Sequence, residues 1–249
     1  MQITRDIKQY ANNYAKGDFD FENVLVKYRR KKVLECLDQY RPVNILEIGC
    51  GMEPIFDFYS EFDKFTTVEP AEEFYLNAVK RTENNPKIEV INDYLNNKID
   101  YLKTKHFDFI ICSSLLHEVE NPTELINDIC SLCSKDTIVH INVPNSRSFH
   151  LLWAYESGLI DKLDELTPTA SKLQQNTPFN IEKLCNIAND FNLKVLDKGS
   201  YFIKPFNHKK MTQLVDENVI DDKLLNGLYY LTEYMPELGA EIFVNCRLK

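Results

Sequence analysis

No apolar run in this chain is long enough to cross a bilayer; Phe107 to Cys112, one of the longest, is short and already broken by Asp108. The first residues, Met1-Gln2-Ile3-Thr4-Arg5-Asp6, lack the basic-then-apolar layout of a secretory signal, so a cytoplasmic protein with no membrane partner is expected. Positive charge is also scarce. Lys and Arg total 29 against 38 Asp and Glu, a formal charge of −9, and no nucleic-acid partner is expected because phosphate neutralisation needs basic side chains. The one dense basic run, Lys27 to Lys32, reads as a solvated helix face in which one member could hold a carboxylate or phosphate. A paired cysteine framework is missing as well: seven cysteines in apolar contexts fit reduced, buried thiols. Cys130 and Cys133 form a single CxxC inside a helical pattern and read as a packed face. No cluster of carboxylates at strand ends suggests a metal, so none is expected.

What is present is ordinary for a folded globule, 27% charged and 44% hydrophobic, at a length that suits one large α/β domain. Glycine is rare, yet two of the seven sit together in Val43-Asn44-Ile45-Leu46-Glu47-Ile48-Gly49-Cys50-Gly51-Met52-Glu53-Pro54. This stretch reads as an apolar strand, a tight turn and a helix opened by proline. Glycine there permits positive φ and lets backbone come close to a ligand.

Around it the pattern alternates. A helix over 21–40 stops at Arg41-Pro42, and strands are expected at 43–48, 65–68, 88–91, 107–112 and 137–143. Helices fall between them at 55–62, 71–81, near 97–102 and at 123–132, the last started by Asn121-Pro122. Such βαβ units imply a parallel sheet with right-handed crossovers. The second half adds helices at 149–155, 181–191, 211–215 and 224–234, and strands at 193–203 and 240–248. A polar segment over 157–178 reads as an insertion over the sheet's C-terminal edge. Residues 3–14 read as a short helix able to act as a lid.

A strand, glycine turn and helix can hold a dinucleotide or S-adenosylmethionine. A dinucleotide site needs G-x-G-x-x-G, but Pro54 occupies the third glycine position and Glu53 would repel pyrophosphate. S-adenosylmethionine carries a sulfonium and an ammonium and tolerates an acidic loop. The string Glu47-Ile48-Gly49-Cys50-Gly51 resembles the first motif of class I S-adenosylmethionine-dependent methyltransferases, acidic-x-Gly-x-Gly-x-Gly, with Glu53 in place of the last glycine. The resemblance implies a Rossmann-like α/β fold: a mostly parallel seven-stranded sheet with helices on both faces and an α-helical cap. It also implies one domain, with a lid over 1–40, a cofactor-binding core over 41–145, an acceptor-side insertion over 146–180 and a C-terminal completion of the sheet over 181–249.

The same resemblance assigns the cofactor site. Glu47, Gly49, Cys50 and Gly51 form the loop, and Glu69, before Pro70, takes the ribose hydroxyls. Asn92-Asp93-Tyr94 matches the position where an Asp accepts from the adenine amino group and Tyr94 could stack on the ring; a turn-forming Asn-Asp pair is the other reading. Ser114 lies in the segment after the fourth strand, Cys112 to Pro122, and Arg29 has two readings, a ligand for the cofactor carboxylate or a solvated helix residue.

For an alcohol acceptor a base is needed. His106 and His208 stand in polar surroundings and His140 reads as a packed residue inside the fifth strand, whereas His117 and His150 follow strands four and five and are the candidates. Val143-Pro144-Asn145-Ser146-Arg147-Ser148-Phe149-His150, with Phe202 to Phe206, Met211 and Pro236 to Ile242, is similar to a subgroup of these methyltransferases associated with bacterial surface-carbohydrate synthesis. That similarity implies O-methylation of a sugar, such as a nucleotide-linked heptose for capsule synthesis, with Asn145 orienting the sugar. The competing expectations are another small-molecule acceptor, a quinone precursor or an amine, and a cofactor-binding regulator without chemistry. A homo-oligomer is compatible with either.

Overall fold

The computed structural model describes residues 21–167, 170–171 and 174–249. The proposed lid at 3–14 lies outside them. Seven strands, β1 (Asn44–Ile48), β2 (Lys64–Val68), β3 (Ile88–Ile91), β4 (Phe109–Ser113), β5 (Ile138–Pro144), β6 (Leu193–Tyr201) and β7 (Glu241–Leu248), form one sheet in the order β3-β2-β1-β4-β5-β7-β6. Pairings from β3 through β5 are parallel, and only β7 runs antiparallel to its neighbours β5 and β6. The start of β7 therefore lies at the same edge as the ends of β1 to β5: Glu241 pairs with Pro144 and with Tyr201.

The central strands are buried on both faces, which is why they read as continuous apolar runs rather than alternating ones. Leu46, Ile48, Ile110 and Ile141 pack with α4 (Pro122–Ser131) and α6 (Ile181–Asp190). Ile45, Phe65, Phe109 and Ile111 pack on the other face with Val33, Cys36 and Leu37 of α1 (Glu22–Tyr40) and Ala78 of α2 (Glu72–Arg81). A third cluster joins Phe21, Leu25 and Tyr28 to Met211 of α7 (His208–Asp216), Leu225 and Tyr229 of α8 (Asp222–Tyr230), and Phe202 and Phe243. The short α3 (Ile99–Leu102) and α5 (Phe149–Glu156) complete the set of named α-helices.

Helix ends follow local chemistry. α1 stops at Arg41, which is left-handed and precedes Pro42, and α4 opens with Asn121 accepting from the Glu124 amide and Pro122 in the first turn. One element departs from expectation. The helix expected over 55–62 is a single 3₁₀ turn, Ile55–Asp57. Ile55, Phe56, Tyr59 and Phe62 are all buried, and Asp63 already bonds back to the Val43 carbonyl, so burial of aromatic side chains and a short return path override the helical period.

Candidate active site

A cleft of about 1900 Å³ opens at the C-terminal edge of the sheet, where parallel α/β sheets place their ligands. The loop after β1 forms its floor. Gly49 (φ 74) and Gly51 (φ 57) both hold left-handed conformations that a side chain would strain, so the sequence's rare glycines stand where the turn requires them. Glu47 is buried beneath the loop, accepting from the Ile55 amide and the Thr67 hydroxyl; burial raises its pKa to about 8, so it is largely protonated at neutral pH. Glu69 ties loop to strand, one oxygen accepting from the Cys50 and Gly51 amides at 2.9 and 3.2 Å and the other from Ala71 at 2.8 Å. Its pKa is raised because burial outweighs these three hydrogen bonds.

The loop holds no cation of its own. Glu53 is paired with Arg30 of α1 at 2.5 Å, and the Arg30 guanidinium lies 3.9 Å from the Phe58 ring centre. A glycine-turned floor followed by a 3₁₀ turn lacks the full helix and dipole on which pyrophosphate rests. It does suit a donor bearing a sulfonium and an ammonium.

Other candidates from the sequence fall into two groups. Tyr94, 54% exposed, lines the cleft with Pro70, Ser114, His117 and His150. Ser114 holds φ 54, with its amide given to both the main-chain and side-chain oxygens of Asn142. Asn92 and Asp93 stand back. Asn92 donates to the Glu69 carbonyl, while Asp93 accepts from its own Tyr94 amide, from Asn97 and from Lys98, so its carboxylate closes a turn. Asn145 gives both amide hydrogens to the carbonyls of Glu237 and Gly239 and accepts from the Arg147 amide; it fixes the end of β5 through the main chain.

Arg29 is no solvated helix residue. It is buried against Glu241, through Nε at 3.0 Å and also through Nη2, and against Glu22 at 3.0 Å. Glu22, Arg29 and Glu241 line the cleft, and the Tyr201 hydroxyl donates to Glu241; the sequence offers Arg29 without these partners because they come from α1, β6 and β7. His117, 2% exposed, sits beside Glu118 at 3.8 Å, and its carbonyl accepts from Asn176 and Thr177 of the insertion. His150 bonds the Ser148 hydroxyl at 2.9 Å; burial, then Lys204 and His208, hold its pKa well below the ordinary value. His208, placed in plain polar surroundings by the sequence, in fact lines the cleft with Lys204. A lone lysine inside Phe202-Ile203-Lys204-Pro205-Phe206 was the available signal. His140 is a core residue as expected, stacked between Phe109 and Phe243.

Residues 22–198 match a family described as a methyltransferase domain, and the chain belongs to that family. It is an S-adenosylmethionine-dependent methyltransferase. Similar solved structures support the fold. A possible histamine N-methyltransferase from Thermotoga maritima aligns at TM-score 0.63 and 15% identity over 98% of this chain and 100% of that one. A 1,6-didemethyltoxoflavin N1-methyltransferase from Burkholderia thailandensis aligns at 0.59 and 10% identity, covering 98% and 87%. The N-methyltransferase NodS from Bradyrhizobium japonicum, solved with S-adenosyl-L-homocysteine, aligns at 0.54 and 11%, covering 89% and 86%. No curated protein matches the chain.

Proposed function

We propose that this methyltransferase acts on a hydroxyl of a sugar, a nucleotide-linked heptose for surface-glycan synthesis being the acceptor that its sequence resemblance favours. The observation that carries this reading is the wall of the cleft beyond the glycine loop. Trp153, 49% exposed and with its ring centre 5.4 Å from that of Phe206, lines the cleft with Phe206, Ser146, His150 and Asn207. An aromatic platform beside hydrogen-bonding groups suits a sugar, whose C–H face packs on rings while its hydroxyls reach polar atoms.

The donor, when bound, supplies an electrophilic methyl group on a sulfonium. Gly49, Gly51, Glu69 and Tyr94 are the residues that would hold it, with Glu47 fixing the loop beneath. Transfer is an in-line displacement, so alignment and exclusion of water carry most of the catalysis. His150 is kept neutral by its surroundings and is thus in the form that accepts the hydroxyl proton. His117, buried in the same wall, is the second candidate.

Incubation with S-adenosylmethionine and a panel of nucleotide-linked sugars, read by a mass gain of one methylene, tests the acceptor. His117→Ala and His150→Ala, assayed separately for turnover and cofactor affinity, test the base: one should lower turnover on the order of 10²-fold or more with cofactor affinity retained. Near-native turnover in both would remove the histidines from the proton step. A second reading rests on Glu118, Glu120, Glu124 and Asp128, which also line the cleft and suit a cationic amine. An amine brings its own lone pair and needs no base, so methylation of amines alone, with both variants active, would favour it.

A further inference from the structure

The cleft wall contains one buried cation for which no described carboxylate serves as an ion-pair partner. Lys204 is 3% exposed and lines the cleft, and its hydrogen-bond partner among the described residues is His208 Nδ1 at 3.2 Å. An ammonium carries three N–H donors, so two have no partner among the described residues. The nearest acids are already engaged: Glu22 and Glu241 are both held by Arg29, and Glu241 also takes the Tyr201 hydroxyl. Glu22 lies 3.6 Å from His208 Nε2 as well. Arg29 and Lys204 are the two cations set against these two carboxylates, and Arg29 holds both of them.

Two further features bear on the same wall. α7 is a nine-residue helix whose N-cap, Asn207, and whose residues His208 and Lys210 line the cleft, so its positive dipole end is directed there. Burial pulls the Lys204 pKa down to about 8, opposed by Glu22 and Glu241, as expected for a buried ammonium with no ion-pair partner among the described residues. A buried charge without a partner is costly, and a site that presents one to a cleft is completed by a ligand of opposite sign.

We propose that Lys204, His208 and the N-terminus of α7 form a phosphate subsite for the acceptor, so that the sugar is taken as a phosphorylated or nucleotide-linked species rather than free. This rests on the reading of the cleft as a sugar methyltransferase site. A free carboxylate shares part of the chemistry, and the test separates the two.

The full chain saturated with S-adenosylhomocysteine is titrated calorimetrically with inorganic phosphate, glucose 1-phosphate, glucose and acetate. Glucose 1-phosphate should bind at least tenfold more tightly than glucose, with inorganic phosphate competing for its site. Lys204→Met should weaken both phosphate probes at least tenfold while S-adenosylhomocysteine affinity stays within twofold; Lys204→Arg should retain most of the phosphate affinity. Should Lys204→Met disturb the fold, His208→Gln serves as the second variant, with a severalfold loss confined to the phosphate probes. Phosphate probes that bind no better than glucose, or equally well to wild type and variants, would overturn the subsite. Acetate binding as tightly as phosphate would reassign it to carboxylates. Failure of the wild type to bind S-adenosylhomocysteine is a different result, which would sink the methyltransferase reading itself.

Discussion

Glu47 and His140 are two fully buried ionisable groups whose protonation opposes each other with pH. The folded-state pKa of Glu47 is raised from 4.5 to about 8, so the unfolded chain releases that proton first. Stability contributed by the protonated form is complete below about 4.5 and is lost as pH rises through 8. His140 goes the other way. Its pKa is lowered from 6.5 to about 4 by burial, and its stabilising neutral form is lost as pH falls from 6.5 through 4. Between 4.5 and 6.5 the two slopes offset each other, so wild type alone hides both. Glu47→Gln should therefore melt a few degrees above wild type at pH 8 and close to it at pH 5, measured by thermal unfolding; equal shifts at both pH values would contradict the assignment. His140→Gln should lessen the stability loss between pH 6.5 and 4, an effect of about 3 kcal/mol at most, because Gln keeps one donor and one acceptor without a titrating ring.

His140 also accounts for a strained residue. Its Nδ1 bonds Asn245 at 2.7 Å and its Nε2 bonds Asn142 at 2.9 Å, and Asn142 in turn accepts from the Ser114 amide at 3.0 Å. This buried chain sustains the positive φ of Ser114, a conformation that a serine adopts only when its surroundings impose it. None of it was legible in sequence, where His140 was only a residue inside a strand. Glu69 was legible as a strand-end acid, but its grip on the loop amides was not, since those bonds depend on the turn's conformation. Glu69→Ala should weaken S-adenosylhomocysteine binding at least tenfold, as it removes the acceptor proposed for the ribose hydroxyls and the anchor of three amides, of which the buried Ala71 amide alone costs about 1–3 kcal/mol when left unsatisfied.

At the scale of elements, α1 connects the two ends of the cleft. Arg30 reaches the glycine loop through Glu53, while its neighbour Arg29 holds Glu22 and Glu241 at the start of β7. The basic run of α1 reads from sequence as a solvated face, and Lys27, half exposed with Asp222, behaves so. Arg29 does not, because the antiparallel β7 brings Glu241 over it, and no helical period can announce a partner more than 200 residues away. Arg29→Ala leaves two buried carboxylates without their cation and should cost about 3–5 kcal/mol in urea unfolding, whereas Arg30→Ala, at a more open pair, should cost about 1 kcal/mol or less. A loss below about 1 kcal/mol for Arg29→Ala would mean that the cluster is not the buried ion network described. The turn over 55–57 carries the complementary lesson: apolar spacing suggested a helix, and the short span between β1 and β2 permitted one turn.

For the whole molecule, the strand and helix order came through because the central strands are buried on both faces, Arg41-Pro42 closes the helix before β1, and Asn121-Pro122 opens the helix between β4 and β5. All seven strands lie within two residues of their expected starts and ends. The sequence was least informative about the cleft wall beyond the glycine loop, whose described residues come from α5, the segments after it and after β6, and the start of α7. The donor, by contrast, is written into one contiguous turn. Titration of the full chain with S-adenosylhomocysteine and with NAD by calorimetry tests that central assignment most directly. Saturable binding of S-adenosylhomocysteine, with a rise in melting temperature that grows with ligand concentration, and no heat with NAD, is the expected result. Binding of NAD without S-adenosylhomocysteine would contradict it.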